Sequence, residues 1–243
     1  IIAENDFIAG GFLWTGTDYI GEAGWPSHGW PAGLFDICMV EKPRAAFHRA
    51  MWNDEPIVRI AVRDNALDID HGRDLWQWPN MAAIWNFPRA YEGLVIEVNT
   101  TTNCERVALF HNGNEMGVRR TADYPNHTIT WCLPYRRGTL VAKGINGTDT
   151  VAVHEIRTAG DAVRLKATAD RGKLMADGQD LSYVQVELLD KDGTLVQHAD
   201  RHVKASIEGE GRLVGFISSD LRRKTPFTSH EDKTYFGRAM AIV

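Results

Sequence analysis

From Pro56 onward, apolar and polar positions alternate in short runs separated by turn residues. Ile57 to Val62, Leu94 to Asn99, Arg106 to His111, Thr128 to Leu133, Leu140 to Ile145 and Val151 to Ile156 read as strands. The dipeptides Asn112-Gly113 and Asn146-Gly147 accept positive φ and suit tight hairpin turns. This pattern predicts an antiparallel β-sandwich. After Arg157-Thr158-Ala159-Gly160, a linker without apolar bulk, four more runs read as strands: Ala162 to Ala169, Ser182 to Leu189, Val203 to Glu208 and Gly211 to Ile217. Tyr183, Gln185 and Glu187 alternate with Val184, Val186 and Leu188, as a strand buried on one face requires. A second, smaller sandwich of immunoglobulin-like size follows, with Asp192-Gly193 as a turn and Met240 to Val243 in mid-strand.

The first part has a different rhythm. Residues up to Glu55 are rich in Gly, Trp and Pro and end in Pro43-Arg44-Ala45-Ala46-Phe47-His48-Arg49-Ala50-Met51-Trp52. Proline at a first helical position, followed by Ala, Phe and Met at helical spacing, predicts one amphipathic helix. With an apolar strand around Gly11 to Trp14, this makes one βα unit. The stretch from Asp64 to Glu92, with Trp76, Trp78 and Trp85, fits no regular period and reads as a long insertion. The expected divisions are 1–55, 56–157 and 158–243.

Composition narrows the partners. A chain of 243 residues with a formal net charge of −5 and interspersed charges has no basic face for a phosphate backbone and no polybasic membrane anchor. Nucleic acid is not an expected partner. No apolar run reaches the roughly 20 residues of a membrane span, and the first residues lack a signal-peptide pattern, so any export signal is expected upstream of Ile1. The 3 cysteines, Cys38, Cys104 and Cys132, are too few for a disulfide framework or a metal knuckle and read as thiols, with a Cys104–Cys132 pair as the alternative. No cofactor and no metal are expected.

The candidate chemistry lies near the amino terminus. Trp14, Trp25 and Trp30 flank a loop of Gly21, Gly24 and Pro26 that has little room for a regular core. Indole faces stack on the apolar face of a pyranose while nearby carboxylates bind its hydroxyls, so Trp14, Asp18, Glu22 and Trp25 are the candidate substrate-binding residues; the same indoles otherwise pack on one another. Asp18 and Glu22 are also the first candidates for the carboxylate pair of glycoside hydrolysis. A competent pair is normally assembled from separate barrel strands, however, and a carboxylate just past a buried strand commonly fixes loop amides or a cation. His198 and His202 have zinc-like i, i+4 spacing but lie in a β-rich region, and Asp190-Lys191-Asp192-Gly193 lacks the later ligands of a calcium loop, so both read as loops or turns.

These residues also resemble a known family. Gly11-Phe12-Leu13-Trp14-Thr15-Gly16-Thr17-Asp18-Tyr19-Ile20-Gly21-Glu22, then Trp30-Pro31-Ala32, Asp36 and Lys42-Pro43, resembles the end of the catalytic barrel of glycoside hydrolase family 2, particularly its bacterial β-galactosidase-like members. Val107-Ala108-Leu109-Phe110-His111-Asn112-Gly113 with Met116-Gly117, and Trp131-Cys132-Leu133-Pro134-Tyr135 with Gly138-Thr139-Leu140, are similar to the sandwich that follows that barrel. Ala176 to Leu181 and Gly237 to Val243 resemble the family's bacterial Ig-like module.

The resemblance implies a mainly β fold: two Ig-like antiparallel sandwiches preceded by the last βα unit of a TIM barrel. It implies that Trp14 lines the sugar subsite of a retaining glycosidase and that both catalytic glutamates precede Ile1, leaving no catalytic residue in this chain and the chain itself inactive. A carbohydrate substrate, an upstream barrel polypeptide, a homo-oligomer and a periplasmic or extracellular bacterial location follow as expectations. The segment 1–55, its apolar faces uncovered, is expected to be disordered, to pack on a sandwich or to depend on another polypeptide. The competing reading is a carbohydrate-binding or adhesin-like Ig module.

Overall fold

A computed structural model of the chain describes residues 5–63 and 79–243. Trp76 and Trp78 lie outside the described residues; Trp85 lies within them. The elements run β1 (Tyr19–Ile20), β2 (Gly29–Trp30), α1 (Pro43–Trp52), β3 (Val58–Arg63), β4 (Met81–Ala82), β5 (Val95–Thr102), β6 (Arg106–His111), β7 (Asn114–Arg120), β8 (Thr128–Pro134), β9 (Thr139–Asn146) and β10 (Asp149–Arg157). They continue with β11 (Arg164–Ala169), β12 (Tyr183–Leu189), β13 (His202–Lys204), β14 (Gly215–Ile217), β15 (Glu231–Lys233) and β16 (Arg238–Ile242).

The first sandwich faces the sheet β4-β3-β5-β8 against the sheet β10-β9-β6-β7, with every pairing antiparallel. Its core follows from period-2 alternation. Val58, Ile60 and Val62 of β3, Ile96 and Val98 of β5, and Ile129, Trp131 and Leu133 of β8 meet Val107, Leu109, Leu140, Ala142 and Ile156 from the opposite sheet. Each of the Val, Leu and Ile side chains contributes about 1.5–3 kcal/mol by leaving water. Trp131 also finds a partner for its polar edge, its Nε1–H donating to Thr100 Oγ1 at 3.0 Å. Asn112 and Gly113 both take positive φ, 51° and 81°, between the paired residues His111 and Asn114. The next hairpin is shifted by one residue from expectation: Asn146 pairs with Asp149, so the turn is Gly147-Thr148.

One edge amide of this sandwich has an unusual partner. β4 pairs only with Val62 and Arg63, and at Ile60 the backbone N–H donates instead to His154 Nδ1 of β10 at 3.1 Å. Accepting this bond requires a neutral imidazole. Burial, reinforced by the Arg59 charge, pushes the His154 pKa down to about 4. The unfolded value is about 6.5, so between these two pH values the unfolded chain binds a proton that the folded chain refuses. Stability is therefore full above about pH 6.5, falls by about 2–3 kcal/mol on acidification toward pH 4, and is level below. Urea denaturation at pH 7 and pH 4.5 is expected to show this loss in the wild type and a much flatter response in His154→Gln; equal slopes in the two proteins would refute it.

The last part of the chain forms the sheet β11-β12-β16-β14 and a two-stranded ribbon of β13 with β15. Val186, Leu213, Phe216, Ala239 and Ala241 form one buried cluster, and Ala159, Leu188 and Val196 another. The expected alternation in β12 is realised, with Val186 and Leu188 buried and Tyr183 exposed. β11 departs from it: it is a sheet edge and all its residues are exposed. The Asp190 turn is as expected. Burial alone would raise the Asp190 pKa, but backbone N–H groups of Gly160, Thr194 and Asp192 donate to its carboxylate and bring the pKa below the usual value.

The first part of the chain differs most from its sequence reading. Gly11 to Trp14 form no strand; pairing begins where Leu34 and Phe35 N–H donate to the Thr15 and Gly16 carbonyls. A parallel barrel strand takes hydrogen bonds from neighbours on both sides, and no described residue supplies them to this segment. α1 starts at Pro43 as expected, but its buried face is Arg44, Ala45, Ala46 and Ala50, while Met51 and Trp52 are exposed. Small residues let the helix lie close against β3 and β5, where Asn103 Nδ2 donates to the Asn53 and Glu55 carbonyls. Cys104 is buried, Cys132 is exposed and both are free, which removes the disulfide alternative. Among the described residues no helix is long and apolar enough to cross a membrane.

Candidate functional site

The β1–β2 hairpin organises the candidate sugar-binding segment. Tyr19 pairs with Trp30 and Ile20 with Gly29. This places Tyr19 beside Trp14, with the rings edge-to-face at 5.9 Å between centroids. Trp14 Nε1–H donates to the Tyr19 hydroxyl at 3.0 Å, and that hydroxyl donates to Glu22 Oε2 at 2.5 Å. The bond to Glu22 is the main cause that raises the Tyr19 pKa above the ordinary phenol value. Trp14 is 60% exposed, so the indole face is open while its N–H edge is pinned.

Asp18 plays a different part. It is only 7% exposed, and its Oδ1 accepts the Gly33 N–H at 2.8 Å and the Lys42 ammonium at 2.7 Å. Lys42 Nζ also donates to the Pro31 carbonyl at 3.0 Å. Burial raises the Asp18 pKa, opposed by Lys42 and by the Gly33 amide. Its carboxylate thus ties the loop to the start of α1. Asp18 and Glu22 each have their own partner, and neither is arranged as half of an acid/base pair.

Trp25 is 86% exposed and stands apart from the Trp14–Tyr19–Glu22 group. It lines a cavity of about 1000 Å³ between the three parts of the chain, together with Lys42, Arg59, Arg157, Gln197 and Leu221. Trp14 and Glu22 do not line it. Of the four candidate residues, the structure brings Trp14 and Glu22 together through Tyr19, makes Asp18 a structural tie and sets Trp25 on the cavity wall. Tyr19 and Lys42 are the site residues that spacing alone does not single out. Tyr19 three positions before Glu22 is a weak signal, and nothing local marks Lys42 as the partner of Asp18. Among the described residues no cluster of three or more His, Cys, Asp and Glu is set to hold a metal ion.

The chain resembles known proteins both in sequence and in fold. Residues 165–243 match the profile described as glycoside hydrolase family 2 C-terminal domain 5, and residues 93–152 match a domain of unknown function, DUF4982. The β-galactosidase BoGH2A of Bacteroides ovatus is 29% identical over the whole of this chain and 26% of its own length. A putative β-glucuronidase of Formosa agariphila is 27% identical over the whole chain and 22% of its length. A crystal structure of a glycosyl hydrolase family 2 member from Bacteroides cellulosilyticus superposes with a TM-score of 0.86 at 30% identity, covering 99% of this chain and 33% of that one. The chain thus spans about a fifth to a third of the length of these relatives. Its mainly β architecture and these matches agree: over its whole length the chain is similar to the carboxy-terminal part of glycoside hydrolase family 2 proteins, and residues 165–243 match that family's C-terminal domain 5.

Proposed function

We propose that this chain is the carboxy-terminal part of a retaining glycosidase that acts on β-galactosides or related β-glycosides. Residues 1–55 end the catalytic barrel, and 56–157 and 158–243 are accessory sandwiches. Trp14 is the platform on which the sugar ring stacks, and Glu22, aligned by Tyr19, presents a carboxylate beside it. The acid/base and nucleophile glutamates belong to barrel strands outside this chain, and the chain alone does not hydrolyse glycosides. The observation that carries this reading is the open indole face of Trp14, with its N–H edge fixed by Tyr19 and Glu22.

The test uses the full-length enzyme and p-nitrophenyl β-galactoside, with the β-glucuronide as a second probe. Trp14→Ala is expected to lower kcat/KM about 30-fold, the equivalent of a well-packed aromatic contact of about 2 kcal/mol. Hydrolysis by the isolated 243-residue chain, or an unchanged kcat/KM in Trp14→Ala, would sink the proposal. Glycan binding by residues 56–243 alone would favour the binding-module reading.

A further inference from the structure

The last sandwich reaches across to the sugar-binding hairpin through the turn Ser218 to Arg223. We propose that this turn positions the Trp14 platform and that Leu221 is its positioning residue, so that the terminal module is a working part of the sugar site. The inference rests on the reading of Trp14 as the platform.

A continuous series of contacts links the two. The Leu221 carbonyl accepts the His28 N–H at 2.7 Å, and the His28 carbonyl in turn accepts the Gly21 N–H at 3.0 Å. The buried Leu221 side chain packs where Gly29 has no β-carbon: a methyl group there would collide with the Tyr19 carbonyl and meet Leu221 Cδ2 at 3.1 Å. Gly29 and Trp30 pair with Ile20 and Tyr19, and the Tyr19 hydroxyl receives the Trp14 N–H. Leu221 therefore bears on the hairpin whose first residue holds the indole.

A second anchor lies one step away. Ser219 hydrogen-bonds the Cys38 thiol, whose pKa burial pushes up to about 12, and the Cys38 N–H is itself held by Asp36 Oδ1 at 2.9 Å. The turn is stiff in its own right. Asp220 Oδ1 accepts the Arg222 N–H, the Asp220 carbonyl accepts the Arg223 N–H, and Arg223 is paired with Asp232 at 2.8 Å. A stiff turn joined by a backbone hydrogen bond and a buried leucine transmits a displacement to the hairpin, whereas an appended module would meet it through exposed side chains. A misplacement of about 1 Å at a positioning group costs up to about 100-fold in rate.

The experiment has a kinetic and a spectroscopic arm. In the full-length enzyme, Leu221→Ala is expected to raise KM for p-nitrophenyl β-galactoside about tenfold with a smaller change in kcat, because a loosened platform weakens ground and transition states together. Tyr19→Phe, which leaves the last sandwich untouched, is expected to move KM in the same direction, and Leu221→Met to restore it. In the chain labelled with 5-fluorotryptophan, the Trp14 ¹⁹F resonance, assigned with Trp14→Phe, is expected to shift and broaden in Leu221→Ala; this arm needs no substrate. If Trp14→Ala impairs the enzyme while Leu221→Ala leaves both KM and the Trp14 resonance at wild type, the positioning role is overturned and the platform reading stands. If Trp14→Ala has no effect, the platform reading itself fails. Should Leu221→Ala not fold by circular dichroism, Leu221→Val carries the test with the same two outcomes.

Discussion

Replacing Asp232 by alanine is expected to destabilise the last sandwich by about 3–5 kcal/mol, the range for a buried ion pair that loses one partner. The pair is nearly dry: the side chains of Arg223 and Asp232 are 6% and 4% exposed, with Nε to Oδ2 at 2.8 Å. Asp232 Oδ2 also accepts the Ser218 N–H at 3.1 Å and the Ser218 hydroxyl at 3.3 Å. Alanine would leave the guanidinium, which lies over the Phe227 ring at 4.6 Å, as a largely buried charge without its carboxylate. The cost thus comes from the stranded partner more than from the value of the pair itself. It follows that Arg223→Met in the Asp232→Ala background should recover most of the loss, since replacing both ions by apolar groups is often close to neutral. Guanidinium denaturation of the wild type, both single variants and the double variant closes the cycle. A loss below about 1 kcal/mol for Asp232→Ala, or a double variant no better than the single, would refute this account.

The same residue shows where a sequence reading stops. β12 is legible because Val184, Val186 and Leu188 alternate with Tyr183, Gln185 and Glu187, and the structure buries the expected face. β15 is Glu231-Asp232-Lys233, three charged residues with no apolar period, and its middle side chain is buried against Arg223 and Ser218. No local pattern reports a tertiary partner. α1 shows the reverse case. Its start is legible from Pro43, yet the apolar periodicity of Phe47 and Met51 points to the wrong face, because the packing against β3 and β5 needs the small residues Ala45, Ala46 and Ala50.

The residues of the candidate site stand out in the sequence, but their wiring does not. Three tryptophans around a glycine-rich loop with two carboxylates form the pattern on which the proposed sugar site rests, since aromatic faces and hydroxyl-binding groups suit sugars. That Asp18 is bound to Lys42 and that Glu22 is bound to Tyr19 depends on how the hairpin closes. The contact of Leu221 with His28 and Gly29 joins opposite ends of the chain, and only the fold shows it.

Trp85→Ala is the second change of this size, with an expected cost of about 3–5 kcal/mol to the first sandwich. Trp85 is fully buried and meets the rings of Phe87, His111 and Tyr135 edge-to-face at 5.7, 5.6 and 5.1 Å. Its Nε1–H donates to the Arg136 carbonyl at 3.0 Å, so truncation removes a large apolar volume together with that hydrogen bond. The position is a junction as well as a core site. The Trp85 carbonyl accepts the Thr158 hydroxyl at 2.6 Å, and the Asn86 side chain both donates to the Ala159 carbonyl and accepts the Ala159 N–H, each at 2.9 Å. Asn86 thus bonds to the linker as a strand would, and Gln197 Nε2 adds a bond from the last sandwich to the Ala83 carbonyl. Trp85→Ala keeps these backbone and Asn86 bonds, so it should separate the transition of the first sandwich from that of the second by lowering the first through loss of the core ring. Asn86→Ala, which keeps the core, should separate the two transitions at a cost of only about 1–2 kcal/mol. Scanning calorimetry distinguishes them: one merged transition in the wild type is expected to split in both variants, with the large shift confined to Trp85→Ala. A Trp85→Ala protein that still melts in a single transition near the wild-type temperature would show that neither the core nor the junction depends on this ring.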